Sequence, residues 1–123
     1  MRDDEPVAHD IGRRGEDLAL LHLEALGFAL VERNARVGRC EIDLVVRDRV
    51  GFAFVEVKTR SSARHGEPWE AVGPTKRDRL ARAALRYLER VGAPDADWRL
   101  GVVAIVLDDR GDISSLDWID EDS

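Results

Sequence analysis

Residues 52–59 constrain the fold of this chain most strongly, because they have the composition of a buried β-strand yet carry two charges near its end. Side chains alternate between the two faces of a strand, so Glu56 and Lys58 share a face with Phe52 and Phe54. Opposite charges on an apolar face are unfavourable to bury unless they pair or bind something else. Arg outnumbers Lys by 17 to 2 in this sequence. Since the two are not interchangeable in a site, Lys58 indicates a specific requirement.

Hydrophobic periodicity predicts two helices and at least four strands. We expect helices over residues 17–26 and 75–91, ended by Gly27 and Gly92. We expect strands over residues 28–32, 41–47, 51–59 and 98–107, a polar turn over 34–39 and a loop over 61–68. Residues 112–119 fit either a fifth strand or an irregular tail. The order α-β-β-β-α-β predicts an α/β fold with a mixed sheet and helices on its faces.

The length of 123 residues suits one domain with one core. We expect a flexible N-terminus over residues 1–11, a single domain over 12–119 and an acidic tail over 120–123. The longest apolar run, residues 18–21, is too short to cross a membrane. A single cysteine, Cys40, cannot form an internal disulfide, which predicts a reducing, cytoplasmic environment.

The net charge of −6 is unevenly distributed along the chain. Residues 95–123 carry nine acidic and two basic groups, whereas residues 33–90 carry 14 basic and eight acidic groups. The acidic end would repel phosphates, but the basic middle can bind them. The overall acidity therefore does not exclude a nucleic-acid partner.

Three carboxylates and one amine are the candidates for chemistry. The short link over residues 48–51 predicts a hairpin that brings Asp43 close to Glu56 and Lys58. Glu16 has helical spacing with Leu20 and Leu23, which places it toward the buried face of the first helix. An acid on that face is explained if a cation lies nearby.

A divalent metal ion would relieve the repulsion between Asp43 and Glu56. Oxygen ligands suit Mg²⁺ or Mn²⁺, and the carbonyl of Val57 could complete the protein ligands. Lys58 would remain protonated beside two carboxylates, so we expect it to stabilise charge and position water. The local pattern alone favours a simpler alternative, which is a cross-strand ion pair with Glu16 as a helix N-terminal acid.

A row of cations on the second predicted helix indicates contact with nucleic acid. Its members, spaced by three or four residues, are Lys76, Arg79, Arg82 and Arg86. Such a row binds phosphates without regard to sequence and in a salt-sensitive way. The alternative is an ordinary solvated helix face, and Asp78 and Glu89 beside the row favour that alternative.

Several motifs in order resemble the YraN-like family of small bacterial proteins, which is similar to nucleases of the PD-(D/E)XK, restriction-endonuclease-like superfamily. These motifs occupy residues 12–16, 33–36, 41–45 and 54–60. The resemblance implies that Asp43, Glu56 and Lys58 form a nuclease core, with Glu16 as the acidic residue of the first helix. Two positions depart from the usual pattern: Cys40 replaces a Gly, and Gly101 stands where an Asp is common.

Together these observations predict a Mg²⁺-dependent endonuclease that hydrolyses phosphodiester bonds in DNA, branched or structured DNA included. One alternative is a nucleic-acid-binding module that keeps the nuclease fold without turnover. Another is a protein-interaction adaptor in which the charged strand end is structural. Small nucleases of this kind often work as dimers, so a homodimer is also an expectation, and a membrane partner is not.

Overall fold

The computed structural model describes residues 8–61 and 74–120, with only the backbone described for residues 8–13 and 74. In these ranges the chain forms two helices and five strands. In chain order they are α1 (Ala8–Ala25), β1 (Ala29–Val37), β2 (Cys40–Arg47), β3 (Phe52–Ser61), α2 (Pro74–Arg90), β4 (Trp98–Leu107) and β5 (Ile113–Asp120). The predicted α/β class, the mixed sheet and the order α-β-β-β-α-β are confirmed, and residues 113–120 form a fifth strand.

The strands form one mixed sheet in the order β1-β2-β3-β4-β5. Strands β1, β2 and β3 are antiparallel neighbours, and β5 is antiparallel to β4. Strand β3 is parallel to β4. A parallel pair requires a crossover connection, and α2 lies within that connection. The chain between β3 and β4 therefore returns across the sheet instead of turning back directly.

The two helices cover opposite faces of the sheet, because alternate residues of β3 belong to different core clusters. Phe52 and Phe54 pack with Leu80, Tyr87 and other residues of α2. The alternate residues of β3 pack with Ala19 and Leu23 of α1 through the second cluster. Continuing the alternation, Glu56 and Lys58 lie on the α2 face. The charged end of β3 is thus directed toward α2.

The first strand is longer than predicted, and the polar turn expected over residues 34–39 is confined to residues 38 and 39. Strand β1 extends to Val37, and Val37 pairs with Cys40 across a two-residue turn of Gly38 and Arg39. Gly38 has φ 61°, which glycine adopts without steric penalty. The polar composition of residues 32–36 concealed the strand, because only alternate residues such as Ala35 and Val37 are buried.

Helix α1 begins at Ala8, earlier than the predicted start at residue 17. The two glycines at 12 and 15 suggested an irregular lead-in to the helix. At Gly15 the glycine instead permits close packing, since an added Cβ would lie 2.8 Å from Oγ1 of Thr59. Helices α1 and α2 end next to Gly27 and Gly92, as expected. Most of the predicted loop over 61–68, like most of the predicted flexible start and acidic tail, lies outside the described residues.

Gly101 of β4 is explained by packing against the outer strand. A Cβ at this position would overlap the ring of Trp118 from β5. Gly101 also pairs with Asp120 in the antiparallel β4–β5 ladder. The absence of a side chain at position 101 therefore leaves room for the indole ring of Trp118. As for membranes, neither described helix has the length and apolarity needed to span one.

Candidate active site

The β2–β3 hairpin brings Asp43 and Glu56 together at one end of the sheet. Register pairs run from Arg47–Phe52 to Leu44–Val55, so Asp43 and Glu56 are the next residues on the two strands. At this point the Asp43 side chain replaces the backbone as acceptor, because Val57 N donates to Asp43 Oδ2 at 2.7 Å. This bond fixes one carboxylate oxygen of Asp43 against β3.

Glu56 is a buried acid that contacts two ammonium groups. Its relative exposure is 9%, and among the described residues it is the one charged residue that is buried. Lys58 Nζ lies 3.4 Å from Glu56 Oε2, and Lys76 Nζ lies 3.0 Å from the same oxygen. Lys58 follows from the strand alternation. Lys76, predicted as a nucleic-acid contact, reaches this carboxylate from α2.

The surroundings of Asp43 disfavour its ionised form. Burial and the neighbouring charge of Glu56 raise the pKa of Asp43 from 3.8 to about 7, and the Val57 N–H bond opposes this only in part. The charge of Glu16 raises it further, and that of Lys58 lowers it. Asp43 is therefore close to its midpoint of ionisation at neutral pH. A nearby cation would favour the ionised form.

The two lysines respond differently to this environment. Burial lowers the pKa of Lys58, and the adjacent Lys76 lowers it further, against the opposing effect of Glu56. Burial also acts to lower the pKa of Lys76, but its contacts with Lys58 and Glu56 outweigh burial and raise that pKa. Lys76, the more exposed of the two, therefore retains its proton more strongly than Lys58 does.

Glu16 is held at the edge of the site by β1. Asn34 Nδ2 donates to its two carboxylate oxygens at 3.2 and 3.1 Å, and Arg33 approaches Oε1 to 3.6 Å. Asn34 has φ 50°, a conformation that Asn tolerates better than most residues. Arg33 also pairs with Asp17 at 2.7 Å. Sequence reasoning missed Arg33 and Asn34 as partners of Glu16, although they belong to the 33–36 motif.

A groove of about 720 Å³ opens beside Asp43 and Glu56. Helix α2 forms one wall, and the turn between β1 and β2 forms the other, where Arg39 and Cys40 lie. All four predicted nucleic-acid residues line this groove: Lys76, Arg79, Arg82 and Arg86. Arg39 adds a fifth cation that the sequence did not single out. The acidic pair therefore lies within a basic groove.

Cys40 lies in the same groove but is not suited to nucleophilic chemistry. Burial raises its thiol pKa above 9.0, and the charge of Glu56 raises it further. A thiol of this kind stays protonated at neutral pH, whereas a nucleophilic cysteine requires the thiolate. Cys40 instead contributes to the groove wall at the start of β2.

The donor atoms around Asp43 and Glu56 fit a hard divalent cation. Among the residues described, no group of three or more His, Cys, Asp or Glu side chains is placed to hold a metal. Mg²⁺ commonly uses one or two carboxylates and completes its shell with water and substrate phosphate. The repulsion that raises the pKa of Asp43 is also what a bound cation would relieve. Two carboxylates and the carbonyl of Val57 are therefore adequate protein ligands.

The mixed sheet, the crossover helix and the acidic pair with its adjacent lysine define an α/β protein with a charged site at one end of its sheet. The chain belongs to the uncharacterised protein family UPF0102, whose sequence model matches residues 15–105. The resemblance to the YraN-like family that the motifs predicted is thereby confirmed.

Relatives in this family are similar along most of their length. A UPF0102 protein of Chlorobium phaeobacteroides strain BS1 is 45% identical over 103 residues, which cover 84% of this chain and 82% of the relative. One from Streptomyces griseus is 45% identical over 102 residues, covering 82% and 86%. One from Solibacter usitatus is 50% identical over 101 residues, covering 78% and 74%.

Among solved structures, the chain is similar to SfsA of Pyrococcus furiosus in complex with Ca²⁺. The TM-score is 0.40 at 16% sequence identity. The match covers 89% of this chain and spans 62% of the SfsA chain.

Proposed function

We propose that this protein is a metal-dependent nuclease that hydrolyses phosphodiester bonds in DNA, with branched or structured DNA among its substrates. The observation that carries this proposal is that Asp43 and Glu56 line a groove together with five cations, while Lys58 contacts Glu56. An acidic pair within a basic groove is the combination that phosphodiester hydrolysis requires. The cations bind the polyanion, and the acids hold a metal ion at the bond to be broken.

In this proposal Asp43, Glu56 and the carbonyl of Val57 hold Mg²⁺ or Mn²⁺. The ion, when bound, supplies Lewis-acid polarisation of a phosphoryl oxygen and lowers the pKa of a coordinated water. Asp43 Oδ2 accepts from Val57 N, and Glu56 Oε2 contacts the two lysines, so both carboxylates that would hold the ion are already oriented by the protein.

Lys58 is proposed to stabilise negative charge that develops on the scissile phosphate and to position the attacking water. Its ammonium group is held 3.4 Å from Glu56 Oε2, so it is preorganised beside the acidic pair. Glu16, fixed by Asn34, is proposed to support the negative field at Asp43 or a second ion. These residues keep one arrangement before substrate arrives, which favours stabilisation of the transition state.

The groove cations are proposed to hold the phosphate backbone without reading the base sequence. For contacts of this kind, the logarithm of the binding constant falls linearly as the logarithm of the salt concentration rises. The binding groove and the acidic pair share Lys76, which lines the groove and contacts Glu56. A homodimer and a cytoplasmic location belong to the same proposal.

A second candidate function is a nucleic-acid-binding module without turnover. It is favoured by the two lysines on Glu56 Oε2, which neutralise that carboxylate without any metal ion. In that case the acidic pair would be a structural ion cluster beneath a phosphate-binding groove.

Cleavage of labelled branched, single-stranded and duplex DNA in Mg²⁺ or Mn²⁺ tests the proposal. We expect Asp43→Asn and Lys58→Gln each to reduce the rate by a factor on the order of 10² or more. Arg110→Gln is the matched control, because Arg110 is exposed in the β4–β5 turn. It should leave the rate unchanged.

The three functions give different results in this assay. Metal-dependent cleavage that both site substitutions abolish supports the nuclease. Binding at low salt that is independent of metal and without cleavage supports the module. If the protein binds none of the substrates at low salt, the nuclease and the binding module are both contradicted. The protein-interaction adaptor is then the remaining function.

A further inference from the structure

Lys76 lies between the two functional parts of the groove. It is in the first turn of α2, which begins at Pro74, and its side chain is 36% exposed. Its ammonium group lies 3.0 Å from Glu56 Oε2, closer than that of Lys58. It also lines the groove next to Arg79. One ammonium group can therefore contact either the buried acid or a phosphate in the groove.

The presence of two ammonium groups on one oxygen makes one of them dispensable for neutralising Glu56. Lys58 belongs to the same strand as Glu56, two residues away, so the backbone of β3 keeps it near the carboxylate. Lys76 comes from a different element and has the more exposed side chain. Of the two, Lys76 is the one that can move without disturbing the sheet.

A divalent ion and Lys76 would compete for Glu56. Both are positive, and a cation held by Asp43 and Glu56 would repel an ammonium group on the same carboxylate. A phosphate bound in the groove would give Lys76 another negatively charged partner. The affinity of the acidic pair for metal should thus depend on what occupies the groove.

We propose that Lys76 couples nucleic-acid binding to metal binding at the nuclease site. With the groove empty, Lys76 holds Glu56 and weakens metal binding. When a phosphate backbone occupies the groove, Lys76 contacts phosphate and leaves Glu56 to the metal. By linkage, metal must strengthen nucleic-acid binding by the same factor. This inference rests on the proposed nuclease function, and it assigns Lys76 as a positioning residue.

Calorimetric titration with Mn²⁺ tests the coupling without measuring cleavage. Wild type, Lys76→Gln and the control Arg110→Gln are titrated alone and with a saturating cleavage-resistant phosphorothioate single strand. Titration of the oligonucleotide alone is subtracted. We expect the oligonucleotide to lower the wild-type Kd for Mn²⁺ by about tenfold, within the usual range of coupling between sites.

The variants separate the contact of Lys76 with Glu56 from the loss of a positive charge elsewhere in the protein. Lys76→Gln should bind Mn²⁺ about tenfold more tightly than wild type without oligonucleotide, and the oligonucleotide should change that Kd by less than about twofold. Arg110→Gln should resemble wild type in both titrations, because Arg110 is exposed in the β4–β5 turn and does not line the groove.

Four results overturn the inference. If the oligonucleotide leaves the wild-type Kd for Mn²⁺ unchanged, the inference is wrong whatever the variants show. Equal Mn²⁺ affinity of wild type and Lys76→Gln, or coupling that persists in Lys76→Gln, also removes the role of Lys76 but leaves the proposed nuclease intact. Failure of every form to bind Mn²⁺ overturns the inference and the metal-dependent nuclease together.

Discussion

Replacing Asp43 with Asn should stabilise the folded protein in the absence of metal. Asp43 is buried beside Glu56, and these two effects raise its pKa to about 7. An Asn side chain keeps an oxygen that can accept from Val57 N. It also turns an NH₂ group toward the acidic neighbour, where an ionised carboxylate is repelled. The substitution therefore removes an unfavourable charge without removing the hydrogen bond.

The magnitude follows from the difference between the folded pKa of about 7 and the ordinary value of 3.8. At 1.36 kcal/mol for each pH unit, this difference corresponds to about 4 kcal/mol. Because the folded pKa is the higher one, the unfolded chain loses its proton first as pH rises. The free energy of unfolding of wild type thus falls between pH 3.8 and about 7 and remains low above that range.

Urea denaturation in EDTA at pH 4 and pH 8 measures this effect. At pH 8 Asp43→Asn should unfold with a free energy about 2–4 kcal/mol above wild type, whereas at pH 4 the two should differ by less than about 1 kcal/mol. Adding Mn²⁺ at pH 8 should stabilise wild type and not the variant. A variant that is no more stable than wild type at pH 8 would refute the argument that burial and Glu56 penalise ionised Asp43.

Two further predictions concern the packing around the site. Gly101→Ala should lower the free energy of unfolding by about 1–3 kcal/mol, because the added Cβ overlaps Trp118, and Trp118→Leu in the same chain should restore part of the loss in urea denaturation. If Gly101→Ala lowers the free energy of unfolding equally with and without Trp118→Leu, overlap with Trp118 is not the cause. Tyr87 is the single tyrosine, and its buried hydroxyl donates to Glu32 Oε1 at 2.8 Å. Ultraviolet titration of the native protein should therefore give a phenol pKa of about 12 and not the ordinary 10.0. A native midpoint near 10 would show that burial and the bond to Glu32 together do not disfavour the phenolate.

Local pattern was sufficient for most of the fold. The apolar runs and helical spacing located α2, β2, β3 and β4 to within a few residues, because burial of one face imposes a period on the sequence. Strand β1 was cut short because its outward residues are charged, and Ala35 and Val37 alone do not make an apolar run. The strand character of residues 113–120 depends on pairing with β4, which no local pattern encodes.

The sequence predicted only the part of the candidate site that depends on local pattern. Asp43, Glu56 and Lys58 could be assembled from strand alternation and one short hairpin, both of which are local. The contact of Asn34 with Glu16 joins residues 18 positions apart through a strand that was predicted as a turn. The contact of Lys76 with Glu56 depends on where α2 crosses the sheet.

The sequence by itself determined that a charged pair ends a buried strand and that an acidic neighbour lies on the adjoining strand. Alternation of side chains and the length of the hairpin link are sufficient to establish this. Only the tertiary structure decided which other charges meet that pair. The parallel pairing of β3 with β4 requires a crossover, and the crossover carries α2 over the face that holds Glu56. Lys76 consequently belongs both to the acidic site and to the basic groove.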